Sequence, residues 1–298
     1  MKINKVAVLG SGLMGNGLTQ VFARDKDTKV VLRSRSKKDD PFAGVRQDLD
    51  ILVRNDAMTE ADAEAILTRM SFTDDMEEAV SDADLVVECV LEDMEIKQNL
   101  FRDIEPLVKA DCILATNTSV MSITEIAKKT EDKSRVIGTH FWNPPYLIPL
   151  VEVVKGDETS LEVMDVTYDY LKKIGKKPVK CMKDVQGFVA NRLQHALWRE
   201  ALYMVEAGIA DAATVDEALK YGPGLRWPHM GALENADMVG TDLSLAIQRG
   251  VLPYLADNKE PSALLVKLVE EGKLGFKSGE GYQKWTEEEA AARRTALR

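Results

Sequence analysis

A chain of 298 residues, 45% apolar and 30% charged, has the make-up of a soluble globular protein and the length of about two domains. Its net charge of −10 argues against nucleic acid as a partner, and no apolar run approaches the ~20 residues needed to span a bilayer. Cys89, Cys112 and Cys181 are widely spaced and fit neither a disulfide framework nor a metal site, so a reducing cytoplasm is expected and no metal.

Residues 3–9 read as a buried strand, followed at once by Gly10-Ser11-Gly12-Leu13-Met14-Gly15 and a helical pattern to residue 23. Further strands are expected at 29–32, 85–88, 113–116, 136–139, 150–154 and 178–181. Helical patterns lie between them at 45–55, 60–70, 76–80, 96–107, 123–129 and 161–174. Alternation of this kind implies a mostly parallel sheet wrapped by helices. Residues 45–70 hold two helices in a row and read as a hairpin projecting from the sheet. Beyond Cys181 the pattern is helical only, at 187–207, 215–219, 243–256 and 262–271, with a charged, Ala-rich tail at 287–298. The expected fold class is α/β: a Rossmann-type domain with a helical-hairpin insertion over residues 1–185, then an all-helical domain over 186–298.

The glycine turn is informative through its context. Gly10 allows a tight turn, Gly12 lets backbone approach a pyrophosphate, and Gly15 permits close packing of helix on strand. The residues between, Leu13 and Met14, open the helix whose N–H groups face the anion. A dinucleotide site is therefore expected. About 20 residues past the glycines an NAD site needs a carboxylate for the ribose 2′-hydroxyl. The chain has Arg33-Ser34-Arg35-Ser36-Lys37-Lys38 there. Arginine forks and hydroxyls suit a 2′-phosphate, so NADP(H) is expected in preference to NAD(H).

Nicotinamide chemistry needs a group to take the alcohol proton as hydride leaves. His140, in His140-Phe-Trp-Asn-Pro144, is the best candidate because an ordinary histidine titrates near neutrality. Glu152 would orient it if their strands are neighbours, and Ser119 and Asn191 would hydrogen-bond the reacting oxygen. Taken singly, each has a plainer reading. His140 could be structural, Ser119 a helix cap, Glu152 an edge-strand surface residue and Asn191 an idle helix residue.

Several separate motifs then agree: the glycine turn, Glu88 to Glu92 with Lys97, Asn117-Thr-Ser119, His140-Phe-Trp-Asn-Pro144, Leu150-Val-Glu-Val-Val154, Gly187-Phe-Val-Ala-Asn-Arg-Leu193, and Gly272-Lys-Leu-Gly-Phe-Lys-Ser-Gly279. In this order and spacing the chain resembles the 3-hydroxyacyl-CoA dehydrogenase family over nearly its whole length. The resemblance implies oxidation of a 3-hydroxyl to a ketone, or the reverse, with His140 as base, Glu152 as its partner, and Ser119 and Asn191 at the substrate oxygen. It implies cofactor contacts at Val90, Glu92, Lys97, Asn117, Asn143 and Lys277, and a homodimer built through the helical domain.

Two further stretches depart from the CoA-linked pattern. The hairpin stretch 45–58 mixes Arg46 and Arg54 with Asp48, Asp50 and Asp56, a poor match for a polyphosphate. The stretch 222–231 resembles that of relatives acting on small free hydroxy acids, the L-gulonate 3-dehydrogenase (lambda-crystallin) and L-carnitine dehydrogenase branches. There Arg226 would clamp a substrate carboxylate and Trp227 would wall the pocket. The expected substrate is a small molecule, either a 3-hydroxyacyl-CoA or a related free 3-hydroxy acid. Imine reduction and a non-catalytic, dinucleotide-binding role on the same fold are the rival readings.

Overall fold

Runs rich in Val, Ile and Leu bounded by turns form the strands of the computed structural model, which describes residues 1–35 and 39–296. The chain divides into two compact units, Met1–Asn191 and Arg192–Arg298.

In the first unit β1 (Lys5–Leu9) leads through the glycine turn into α1 (Leu13–Phe22), and β2 (Lys29–Arg33) follows. The hairpin is α2 (Ala43–Arg54) and α3 (Glu60–Thr68), and it ends in a strand, β3 (Met70–Thr73). The helical pattern over 60–70 runs through Met70, and no strand is expected there. Met70 instead starts the edge strand, pairing in parallel with Val30. Next come α4 (Met76–Val80), β4 (Leu85–Glu88), α5 (Met94–Ile104), β5 (Ile113–Thr116), α6 (Ile123–Ile126), β6 (Val136–Phe141), β7 (Leu150–Lys155), α7 (Leu161–Lys173) and β8 (Lys177–Cys181). The eight strands lie in the order β3-β2-β1-β4-β5-β6-β7-β8, and every pairing is parallel except β6 with β7. Crossover helices cover both faces, so both faces bury apolar side chains. One cluster includes Val6, Val8, Leu18, Phe22, Ile113 and Phe141. The other includes Ala7, Leu9, Val86, Phe101, Leu114 and Phe188.

α8 (Ala190–Glu206) opens later than the pattern suggested, because Gly187 (φ 77°) and Phe188 (φ 48°) are left-handed and cannot belong to its first turn. The second unit continues with α9 (Ala212–Tyr221), α10 (Ala232–Val239), α11 (Thr241–Val251), α12 (Ala263–Glu270) and α13 (Glu287–Ala296). α10 was not expected. Its N-terminus uses Gly231, whose N–H is held by Glu234 at 2.7 Å, a cap without the usual hydroxyl or carboxamide signal.

Candidate active site

Two strand ends shape the glycine turn. Gly10 is left-handed (φ 113°), and its N–H donates to the Arg33 carbonyl at 2.9 Å. A Cβ at Gly10 would lie 2.6 Å from the Cys89 carbonyl oxygen, and one at Gly15 only 1.7 Å from that of Gly10. Gly12 differs, since a Cβ there would meet nothing within 4 Å. The turn is thus crowded towards the sheet and open at Gly12, as close approach by a pyrophosphate requires. α1 has no side-chain cap and no acidic residue in its first turn, which leaves its positive end available to an anion. Leu13 is exposed and Met14 is half-buried beside it. These residues fit a dinucleotide.

At the end of β2 the Ser34 hydroxyl shares a 3.0 Å hydrogen bond with that of Ser11, joining the glycine turn to the place where a ribose carboxylate was missing. Arg33 is half-buried, and its Nε is enclosed without a hydrogen-bond partner among the described residues. Arg35 is exposed. Ser36, Lys37 and Lys38 lie outside the described residues.

His140 and Glu152 face each other in register on the antiparallel pair β6–β7. On one face of such a pair, opposed side chains lie close enough to bond. His140 Nδ1 lies 2.8 Å from Glu152 Oε2. The histidine is 5% exposed and the glutamate fully buried. Glu152 Oε2 also accepts from Trp142 Nε1 at 3.3 Å, and Oε1 accepts the Val189 and Ala190 N–H groups, each at 2.8 Å. Burial opposes the glutamate's charge. The bonds from His140, Ala190 and Val189 outweigh that and hold its carboxyl below the usual carboxylate range. An ionised Glu152 accepts from Nδ1–H, so Nε2 is the ring nitrogen left to exchange a proton. Trp142 and Phe188 flank the imidazole at 5.7 and 5.8 Å between ring centroids.

Ser119 and Asn191 also meet. Asn191 Nδ2 donates to the Ser119 carbonyl at 3.1 Å, and the Ser119 N–H donates to Glu92 Oε1 at 3.0 Å. Asn117 Oδ1 accepts the Phe141 N–H at 2.9 Å and so ties the end of β5 to that of β6. The Val90 N–H is held by Glu88 at 3.0 Å. Lys97 is 1% exposed, with Nζ placed between Glu88 and Glu92. Asn143 is exposed just after β6.

Arg226, Trp227 and Lys277 belong to the second unit, and all three are exposed. Lys277 is among the residues that line an apolar cavity of about 650 Å³, with Trp198, Leu202, Leu268, Phe276 and Trp285. Among the described residues no group of His, Cys, Asp or Glu could hold a metal ion, and no helix is long and apolar enough to cross a membrane.

Sequence reasoning missed the other partners of Glu152. Trp142 lies two residues from His140 on the same motif and was within reach as a signal. The Val189 and Ala190 N–H groups left no side-chain trace, because their direction comes from the left-handed pair before α8.

Family models for the NAD binding domain and the C-terminal domain of 3-hydroxyacyl-CoA dehydrogenase match residues 5–185 and 187–285. The chain belongs to the 3-hydroxyacyl-CoA dehydrogenase family. Relatives include a probable 3-hydroxybutyryl-CoA dehydrogenase of Deinococcus radiodurans, 39% identical over 94% of this chain and 100% of that protein. Human mitochondrial hydroxyacyl-coenzyme A dehydrogenase is 36% identical over 95% of this chain and 91% of its own length. The solved structure of 5-formyl-3-hydroxy-2-methylpyridine 4-carboxylic acid 5-dehydrogenase, an NAD+ dependent dismutase, matches with a TM-score of 0.85 at 31% identity, covering 99% of this chain and 95% of that one. The family includes dehydrogenases acting on CH–OH with a nicotinamide dinucleotide, and the turn of this chain fits that cofactor.

Proposed function

We propose that this family member interconverts a 3-hydroxyl and a 3-ketone, with His140 Nε2 taking the hydroxyl proton during oxidation and returning it during reduction. The observation that carries this reading is the carboxylate of Glu152, fully buried and bonded at once to Nδ1 of His140 and to the two N–H groups that open α8. A carboxylate so held fixes the imidazole's tautomer and stabilises the imidazolium that forms. When bound, the nicotinamide accepts or supplies the hydride at the substrate carbon. In this reading the Ser119 hydroxyl and the Asn191 amide hold the substrate oxygen, while Asn117, Asn143, Val90, Glu92 and Lys97 shape the cofactor side.

NADP(H) is the preferred cofactor in this reading. Ser34 offers a hydroxyl already linked to Ser11, and Arg33 has an enclosed Nε with no partner among the described residues. Both suit a phosphate, and positions 33–38 carry no Asp or Glu to repel one. The second unit serves as the dimer surface, Lys277 assists the cofactor, and the cytoplasm is the site of action.

The substrate carries either a CoA thioester, as in the relatives named for it, or a free carboxylate. The second form is favoured by α2, whose Asp48 is bonded to the Tyr146 hydroxyl at 2.8 Å and whose charges are mixed. In that form Arg226 clamps the carboxylate beside Trp227. Rates with acetoacetyl-CoA and with free 3-hydroxy acids, each measured with NADPH and NADH, test both parts. Acetoacetyl-CoA turnover comparable to that of ordinary family members would overturn the free-acid form. Absence of turnover with all of them would overturn the function itself.

A further inference from the structure

Lys97 has an environment that a direct cofactor contact would not explain. Its side chain is 1% exposed, and Nζ bonds Glu88 Oε1 at 2.7 Å and Glu92 Oε2 at 3.2 Å. Glu88 is fully buried at the end of β4. The same Oε1 accepts from the Thr116 hydroxyl at the end of β5, and Oε2 accepts the Val90 N–H. Glu88 therefore cross-links the ends of two neighbouring strands, each leading into a loop of the candidate site. Glu92 carries the connection outward, because its Oε1 accepts both the Thr118 hydroxyl and the Ser119 N–H. With Asn191 on the Ser119 carbonyl, the Ser119 peptide is gripped on both sides.

We propose that Glu88 is a positioning residue, acting through a Glu88–Lys97–Glu92 strut that sets the Ser119 turn. The inference rests on the role of Ser119 given above. Taking an ion pair out of water is expensive, and a well-packed apolar pair of the same size often serves stability as well. A merely stabilising role therefore does not require charge here. Placement does, since the lysine reaches one carboxylate at the end of β4 and another in the loop that follows it, and each carboxylate accepts a backbone N–H. Burial pulls the Lys97 ammonium down, but Glu88 and then Glu92 outweigh it and hold it above the ordinary lysine range. Burial likewise pushes Glu92 up, and the bonds from Thr118, Lys97 and Ser119 bring it below the usual range. Lys97 and Glu92 are thus held charged near neutrality, as a strut requires.

A double-mutant cycle tests the inference. Glu88→Gln should lower kcat about 10-fold while the dinucleotide KM moves less than about 3-fold, and on a Ser119→Ala background the same change should cost less than about 2-fold. A loss equal in both backgrounds, or one residing in the dinucleotide KM, would overturn it. A silent Ser119→Ala would instead remove the role of Ser119 itself, a different failure visible before Glu88 is changed. Because removing one partner of a buried ion pair endangers folding, Glu88→Gln with Lys97→Met provides a companion that removes both charges of that pair. It should keep a cooperative melt and still show the kcat loss, whereas normal turnover in the folded double variant would overturn the strut.

Discussion

The first unit buries apolar side chains on both faces of its sheet, in two clusters that each draw on several strands and helices. Among the described residues of the second unit only Ser262, Leu268 and Ala290 are buried. Its apolar side chains are turned outward instead, with Leu233 82% exposed and Leu243, Leu245 and Ile247 near half. Large exposed apolar surface on a globular protein commonly marks an interaction site. The difference teaches that the two units depend on different things. The geometry of the proposed dyad is internal to the first unit, set by strand register. The stability of the helices calls for a covering surface, which the proposal assigns to a second copy.

Substitutions that separate chemistry from stability sharpen that comparison. His140→Ala should lower kcat by about 10²- to 10⁴-fold, the range for general acid–base groups, and leave the oligomeric state unchanged. Steady-state kinetics with sedimentation velocity would check it. A loss under about 10-fold would mean that another group takes the proton. On the other side, Leu243→Glu with Ile247→Glu should halve the mass in solution and lower the melting midpoint by several degrees, since each places charge on what is proposed to be covered surface. A variant that keeps the parent's mass and midpoint would leave the outward apolar face unexplained by dimerisation.

Cofactor choice is a narrower test, confined to the first unit. Arg33→Ala with Arg35→Ala should raise the NADPH KM by about 10- to 100-fold and the NADH KM little, given the usual worth of one or two charge-assisted hydrogen bonds. Equal effects on both cofactors would show that the arginines do not read a phosphate.

Much of the first unit was legible because strand runs and turn glycines are local signals. β3 was not, since Met70-Ser-Phe-Thr73 is only four residues and follows a helix without a break. The start of α8 was misread because two left-handed residues are invisible to periodicity. His140, Glu152, Ser119 and Asn191 could be named from their motifs, whereas the Trp142, Val189 and Ala190 contacts of Glu152 were not. The link between His140 and Glu152 could be stated only conditionally, as antiparallel pairing of β6 with β7 is a tertiary fact. Glu88 could be named only as the start of the Glu88 to Glu92 motif, because nothing in the linear chain says that it is buried against Lys97 and Thr116. α10 was obscured by Gly231, whose cap depends on a reach-back from Glu234.

The smallest expected effect concerns acid stability and tests whether the dyad also holds the first unit together. Glu152 has a folded-state pKa below its ordinary 4.5, because the bonds from His140, Ala190 and Val189 outweigh burial. Between the two values the unfolded chain binds more protons than the native one, so stability falls as pH falls. The contribution is fully present above about pH 4.5 and is lost as pH drops through the folded value. Glu152→Gln removes that titration but keeps an oxygen for the Val189 and Ala190 N–H groups. The gap between the melting midpoints of parent and variant should therefore narrow as pH falls below about 4.5. A gap that stays constant into acid would mean that Glu152 titrates alike in the folded and unfolded chains. The bonds that gather His140 and the start of α8 would then contribute geometry and no net stability.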